Sequence, residues 1–275
     1  MAPIVTDIRP WTGWQGINLR ELWDYRELFL IFAWRDLKVR YKQTILGVAW
    51  AIFQPLTSMV IFSFFFGKLA RIYTAELPYM VFVYVGIVIW TFFSTAVNHA
   101  TSSLLEQELL IKRVYFPRII IPLAAFVTSI VDFLIACSIL VVLLIYFQIH
   151  PSYWLIMAFP GLFLIVSLTV TGIGLFLSAV NIKYRDVRYI LPFFINIAMF
   201  LTPVIYPSRI IADQHKWILV INPLTAVIET SRKLLSGSVA IDWLGLGISI
   251  LVAVTIFIFG LYYFRSTEKY FADVV

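Results

Sequence analysis

Six stretches of this chain are long, apolar and almost free of charge. They are Ile45–Gly67, Tyr79–Ala100, Ile119–Phe147, Trp154–Val180, Ile190–Tyr206 and Trp243–Phe264, and together they hold one Asp, Glu, Lys or Arg, namely Asp132. About 20 apolar residues in a helix cross about 30 Å of hydrocarbon. A helix also satisfies its own backbone where no water is present. The pattern therefore predicts an all-α polytopic membrane protein with six transmembrane helices. Composition agrees: 61% of residues are hydrophobic and 13% charged, against about 45–50% and about 25% in soluble domains. A globular enzyme on a single anchor is excluded.

The first of these stretches begins at a sharp junction. From Arg35 to Lys42 the chain is cationic; from Gln43 to Gly67 it carries no charge. Lys and Arg stay at headgroup level because each costs about 2.5–3.5 kcal/mol at the bilayer centre on insertion scales. The junction thus predicts a helix that lies on the membrane and then turns into it. Upstream, Leu22, Trp23, Arg26, Phe29, Phe32 and Ala33 recur at helical spacing, with Glu21, Asp24, Glu27 and Asp36 largely off that stripe. This reads as an amphipathic interfacial helix over about Leu19–Lys42, or as a soluble helix packed on a partner. Residues 1–18 read as an irregular tail with Trp11 and Trp14 at the interface. Two regions are expected: residues 1–44, tail and interfacial helix, and residues 45–275, the transmembrane domain. No cleaved secretory signal is expected before the first span.

Lys and Arg also set the orientation. Fifteen of the 21 fall on one side of the six-span scheme: the N-terminal segment, Thr101–Arg118, Asn181–Tyr189 and the C-terminal tail. That side is expected to be cytoplasmic, with both termini inside. The same rule and anionic lipid explain the net charge of +6 better than nucleic acid, since no basic stripe is interleaved with aromatics. Two spans are unusual. Ile119–Phe147 would be about 43 Å long as a helix, so it tilts or protrudes. Ile190–Tyr206 is short and holds Pro192 and Pro203, a composition tolerated at membrane depth beside protein or a wet cavity. In Pro207–Asp242, Asn222-Pro223 reads as a helix start and Ser236-Gly237 as a stop. We expect short re-entrant external helices between spans five and six; an external cap is the other reading.

The chain offers little catalytic chemistry. Gly67-Lys68 lacks the upstream glycine and following Ser/Thr of a phosphate loop. No Asp-x-Asp or His-Glu-x-x-His occurs; His99, His150 and His215 share no ligand spacing, and Cys137 is the one cysteine. Neither a bound metal nor a disulfide framework is expected. Glu106 and Glu108, two apart, leave a helix on different sides and read as a solvated face. Asp132 is the one acid deep in a span, with no obvious basic residue at its depth. It reads as a structural hydrogen-bonding group or as a proton-coupling site. Aromatics reach 17%. Phe53, Phe62 and Phe66 on span one, with Phe193, Phe200 and Tyr206 on span five, could line a sugar-tolerant path or simply face lipid.

Four ordered patches resemble the ABC-2 type permeases that export polysaccharides and polyol phosphates. These are Trp34-Arg35-Asp36-Leu37-Lys38-Val39-Arg40-Tyr41-Lys42-Gln43-Thr44-Ile45-Leu46-Gly47 with Trp50 and Pro55; Asn181-Ile182-Lys183-Tyr184-Arg185-Asp186-Val187; Thr202-Pro203-Val204-Ile205-Tyr206; and Asn222-Pro223-Leu224. The resemblance implies a permease subunit of an exporter for O-antigen, capsule or teichoic acid in a bacterial inner membrane. It implies a homodimer with two copies of a separate cytoplasmic ATPase, which binds ATP and Mg²⁺ while this chain binds no cofactor. The cargo would be an undecaprenyl-diphosphate-linked or similar lipid-linked glycan. Its phosphate would meet Arg40, Lys42 and the Leu46-Gly47 turn. Glu106, Glu108, Lys112, Arg113, Tyr184, Arg185 and Asp186 would dock the ATPase. A secondary transporter or channel built around Asp132 is the competing class. A membrane-bound glycan enzyme is a third, and no polar catalytic cluster supports it.

Overall fold

The structure, a computed structural model, describes residues 19–42, 47–72, 74 and 77–271. Leu46 and the Trp11/Trp14 tail lie outside the described residues. The described chain is helical. Two pieces, α1 (Leu19–Asp24) and α2 (Arg26–Lys42), meet at Tyr25, whose backbone still bonds Glu21 and Phe29. Next come α3 (Gly47–Phe62), which widens into a π-helical segment at Ser63–Leu69, then α4 (Tyr79–Glu106) and the short α5 (Glu108–Arg113). The long helices α6 (Ile120–Tyr146) and α7 (Trp154–Lys183) follow, then α8 (Val187–Leu201). The chain closes with α9 (Lys216–Ile221), α10 (Pro223–Leu235) and α11 (Trp243–Thr267).

Five of these helices are long and apolar enough to cross a membrane: Ala49–Leu69, Tyr79–Glu106, Ile120–Tyr146, Trp154–Lys183 and Trp243–Tyr270. The expected fifth span is the shorter α8. It begins three residues before Ile190 and stops at Leu201, so its 15 residues cover about 22 Å. Pro203 explains the stop, because the residue before a proline is pushed out of helical geometry; Thr202 is extended, with ψ 139°. The second span overruns its expected end at Ala100. The hydroxyls of Thr101 and Ser103 donate back to the Val97 and Ala100 carbonyls, so these polar groups are satisfied within the helix.

Helix α4 is the axis of the bundle. It packs on α3, α6, α7, α8 and α10, and α11 lies against α7. One core surrounds the first half of α4, with Val81, Tyr84, Val85 and Val88 meeting Phe133, Val166, Val227 and Ile228. A second core sits at the other end, where Phe32 and Ala33 of α2 meet Phe116, Ile120, Leu175, Phe264 and Phe271. The apolar stripe of α2 therefore faces protein. Phe32 and Ala33 are buried, Leu22 and Phe29 half-buried, and Trp23 exposed. A second apolar face, Leu30, Ile31 and Trp34, is left uncovered. The interfacial helix has two apolar faces, one for the bundle and one for its surroundings.

Candidate functional site

The sequence left Asp132 without a basic neighbour. The fold supplies one, which corrects that reading. Arg40, near the end of α2, pairs with Asp132 of α6 at 2.6 Å, and the Tyr41 hydroxyl donates to the other carboxylate oxygen. Burial, reinforced by that hydrogen bond, pushes the Tyr41 phenol above its usual range. Arg40 also contacts His99 Nε2 at 3.2 Å, and Ser129 Oγ lies 3.2 Å from His99 Nδ1. A guanidinium only donates, so Nε2 accepts and the proton sits on Nδ1, facing Ser129. Three helices thus meet at one polar knot about three-quarters of the way along α4. Asp132 is the anchor for α2, a contact between residues 92 positions apart in the sequence. Directly above the knot a cleft of about 530 Å³ opens between α2, α4 and α6.

The resemblance placed Arg40 with Lys42, Leu46 and Gly47. Arg40 lies in the knot, Lys42 is exposed, Gly47 starts α3, and Leu46 is outside the described residues.

At the far end of α4, the two segments expected to dock an ATPase come together. Asn181, fully buried near the end of α7, donates to the Thr101 carbonyl at 2.9 Å and accepts from the Arg188 amide at 3.3 Å. This fixes Tyr184, Arg185 and Asp186, all exposed, beside α5. Glu108 pairs with Lys112 at 2.8 Å; that hydrogen bond and charge hold its carboxyl below the usual range, with a smaller contribution from Arg185. Lys112, Arg113, Val114 and Tyr115 are exposed alongside. Glu106 faces the cleft instead, so the two glutamates do separate work. Behind this face the backbone N–H of Arg118 donates to Glu268 at 2.9 Å, and Arg265 pairs with Glu268 at 2.8 Å, both largely buried.

At the opposite end sits a residue that sequence reasoning passed over. Arg232 of α10 is 6% exposed and has three backbone carbonyls as acceptors: Phe82 at 3.0 Å, Pro203 at 2.7 Å and Val204 at 2.6 Å. Its guanidinium lies 3.5 Å from the centre of the Phe82 ring, close enough for cation–π attraction. Gly86 makes room: a Cβ there would come within 2.5 Å of the Val204 carbonyl. Asn222 adds a second tie, capping α10 at the Leu224 amide while donating to Thr202 Oγ1 at 2.7 Å. Tyr79 donates to the Ile205 carbonyl at 2.6 Å. The broken end of α8 is thereby clasped to α4 and α10. A signal was present: Arg232 falls four residues after Ile228, on the apolar face of α10.

The six aromatics divide. Phe62 and Phe66 lean on each other with ring centres 6.1 Å apart and pack on the core, while Phe53, Phe193 and Phe200 are exposed on the outside of the bundle. The Tyr206 hydroxyl donates to the Phe200 carbonyl at 2.9 Å.

Comparison with known proteins agrees with this architecture. The family described as "ABC-2 type transporter" matches residues 27–236, from α2 to the end of α10. The O-antigen export system permease protein RfbA of Klebsiella pneumoniae is 27% identical over 260 residues, covering 94% of this chain and 97% of that protein. The protein of the same name from Myxococcus xanthus is 28% identical, over 77% of this chain and 81% of its own. The polysialic acid transport protein KpsM of Escherichia coli is 25% identical, over 86% and 91%. A family match that runs from the helix beside the bundle to the clasped α10 settles membership: this chain belongs to the ABC-2 type transporter family.

Proposed function

We propose that this chain is the membrane-spanning permease of an ATP-driven exporter that carries a lipid-linked polysaccharide, O-antigen first and capsule or teichoic acid as variants, across a bacterial inner membrane. The observation that carries the reading is the near full-length likeness to export permeases. Both termini would be cytoplasmic. Two copies would form the conduit, and the exposed aromatics Phe53, Phe193 and Phe200 suit either its wall or the contact between copies. Phe62, Phe66 and Tyr206 would stand behind them. ATP and Mg²⁺ would sit on two copies of a separate ATPase, and this chain would hold no cofactor.

The platform of half-buried Glu108 with exposed Lys112, Arg113, Tyr184, Arg185 and Asp186 suits a docking surface, because it joins directly to α4 and α7. Closure of the ATPase pair would push on this platform and rotate those rigid helices as bodies. At the other end the clasp on Arg232 would have to release. Lys42, with Leu46 and Gly47, remains the proposed meeting place for the lipid phosphate, and Arg40 would act there through α2. The secondary-transporter alternative loses its main support, since Asp132 already has Arg40 and Tyr41 as partners. The test is deletion and complementation. Loss of surface glycan with intracellular lipid-linked polymer supports the proposal; normal surface glycan in the deletion strain refutes it.

A further inference from the structure

The cleft above the polar knot falls within the size range of small-molecule sites. Helix α2 runs antiparallel to α4 here, because Arg40 meets His99 and Arg35 meets Gln107 at 2.8 Å. The cleft follows α4 from His99 to Glu106, seven residues or about 10 Å. Its ends differ. The inner end has Arg40, whose side chain is still 31% exposed, and Thr128. Thr128 is 4% exposed and its hydroxyl has no hydrogen-bond partner. A buried hydroxyl is costly to leave without a partner, and Thr128 lines this end of the cleft. The outer end has the exposed Glu106 carboxylate and the Arg35–Asp36 pair at 2.7 Å.

The charged side chains lining the cleft are thus two guanidinium groups and two carboxylates. A purely anionic ligand would meet Asp36 and Glu106; a purely cationic one would meet Arg35 and Arg40. A group carrying both signs a few ångströms apart fits the lining. We propose that this cleft binds the zwitterionic headgroup of an amine-bearing phospholipid, its phosphate toward Arg40 and Thr128 and its ammonium toward Glu106. The order matches a bilayer leaflet if the end of α4 is cytoplasmic, as in the function proposed above: ammonium outermost, phosphate beneath. The bound lipid would brace α2 against α4 and α6, making the seating of the interfacial helix depend on the surrounding lipid.

The test uses the full chain with its ATPase partner in detergent, exposed to phosphatidylethanolamine, phosphatidylcholine and phosphatidylglycerol of equal chain length. Retained lipid is read by native mass spectrometry. Phosphatidylethanolamine should be retained about fivefold over the other two, the scale of one partly exposed ion pair. Glu106→Gln should erase its advantage over phosphatidylcholine, whose methylated ammonium cannot donate a hydrogen bond. Thr128→Val should weaken retention of phosphatidylethanolamine without changing the melting temperature by more than a few degrees. Equal retention of all three lipids, no retention, preference for phosphatidylglycerol, or an unchanged preference in Glu106→Gln would each overturn the proposal. None of these readings depends on the exported polymer. A deletion strain with normal surface glycan would refute the export function and leave the cleft's ligand standing.

Discussion

Replacing Arg232 with Met is the sharpest test of how the α8–α10 end of the bundle is held. The side chain is nearly isosteric in its stem but donates nothing. Three carbonyls, those of Phe82, Pro203 and Val204, lose their donor at once. Leaving a buried acceptor unpaired costs about 1–3 kcal/mol, so three set an upper limit of about 9 kcal/mol. Two effects reduce that. Removing a buried cation returns part of its desolvation cost, and the Pro203 and Val204 carbonyls follow a helix end where water can reach once the clasp loosens. A net loss of about 2–5 kcal/mol is expected, or about 5–15 °C in melting temperature for a chain of this size. Arg232→Lys should fall between, because an ammonium is a point donor and cannot span acceptors on two elements as the planar fork does. The assay is thermal unfolding in detergent, paired with thiol labelling of Val204→Cys in a Cys137→Ser background. Val204 is fully buried, so labelling should rise only when Arg232 is replaced. A Met variant that melts within about 2 °C of the parent and stays unlabelled would refute the clasp.

Asp132→Asn should loosen α2 and cost about 1–3 kcal/mol, less than a fully buried pair because Arg40 is part-exposed; proteolysis between α2 and α3 should quicken, and Asp132→Arg with Arg40→Asp should recover part of the loss. Arg185→Glu, on an exposed loop, should leave the melting temperature unchanged while abolishing export and stimulation of ATP hydrolysis; unchanged export would remove Arg185 from the docking surface. The α7–α11 crossing depends on close backbone approach. A Cβ on Gly172 would come within 2.7 Å of the Ile256 carbonyl, so Gly172→Val should sharply reduce folded protein recovered from membranes, whereas Gly161→Ala, with nothing within 4 Å, should be neutral or slightly stabilising. Asn222→Ala should cost about 1 kcal/mol for the lost cap, read as a lower melting temperature.

Composition and spacing were enough to identify the class of fold. Uncharged runs of spanning length leave a chain few options in lipid, and Asn222-Pro223 and Ser236-Gly237 bracket α10 because capping and breaking are local properties of the backbone. The same locality let Pro203 mark the end of α8, although the reading carried that span past it to Tyr206. Local rules could not say which way a helix faces. The α2 stripe was legible, but whether it met lipid or protein depended on α6 and the C-terminal end of α11, which lie far along the chain. Asp132 looked solitary because its partner is 92 residues away, and Arg232 was passed over because its three acceptors are backbone carbonyls, identical in every sequence. Residue types and their periods determined the helices. Only the tertiary structure decided which polar groups share one dry interior, because the cost of burying a charge depends on what surrounds it in space.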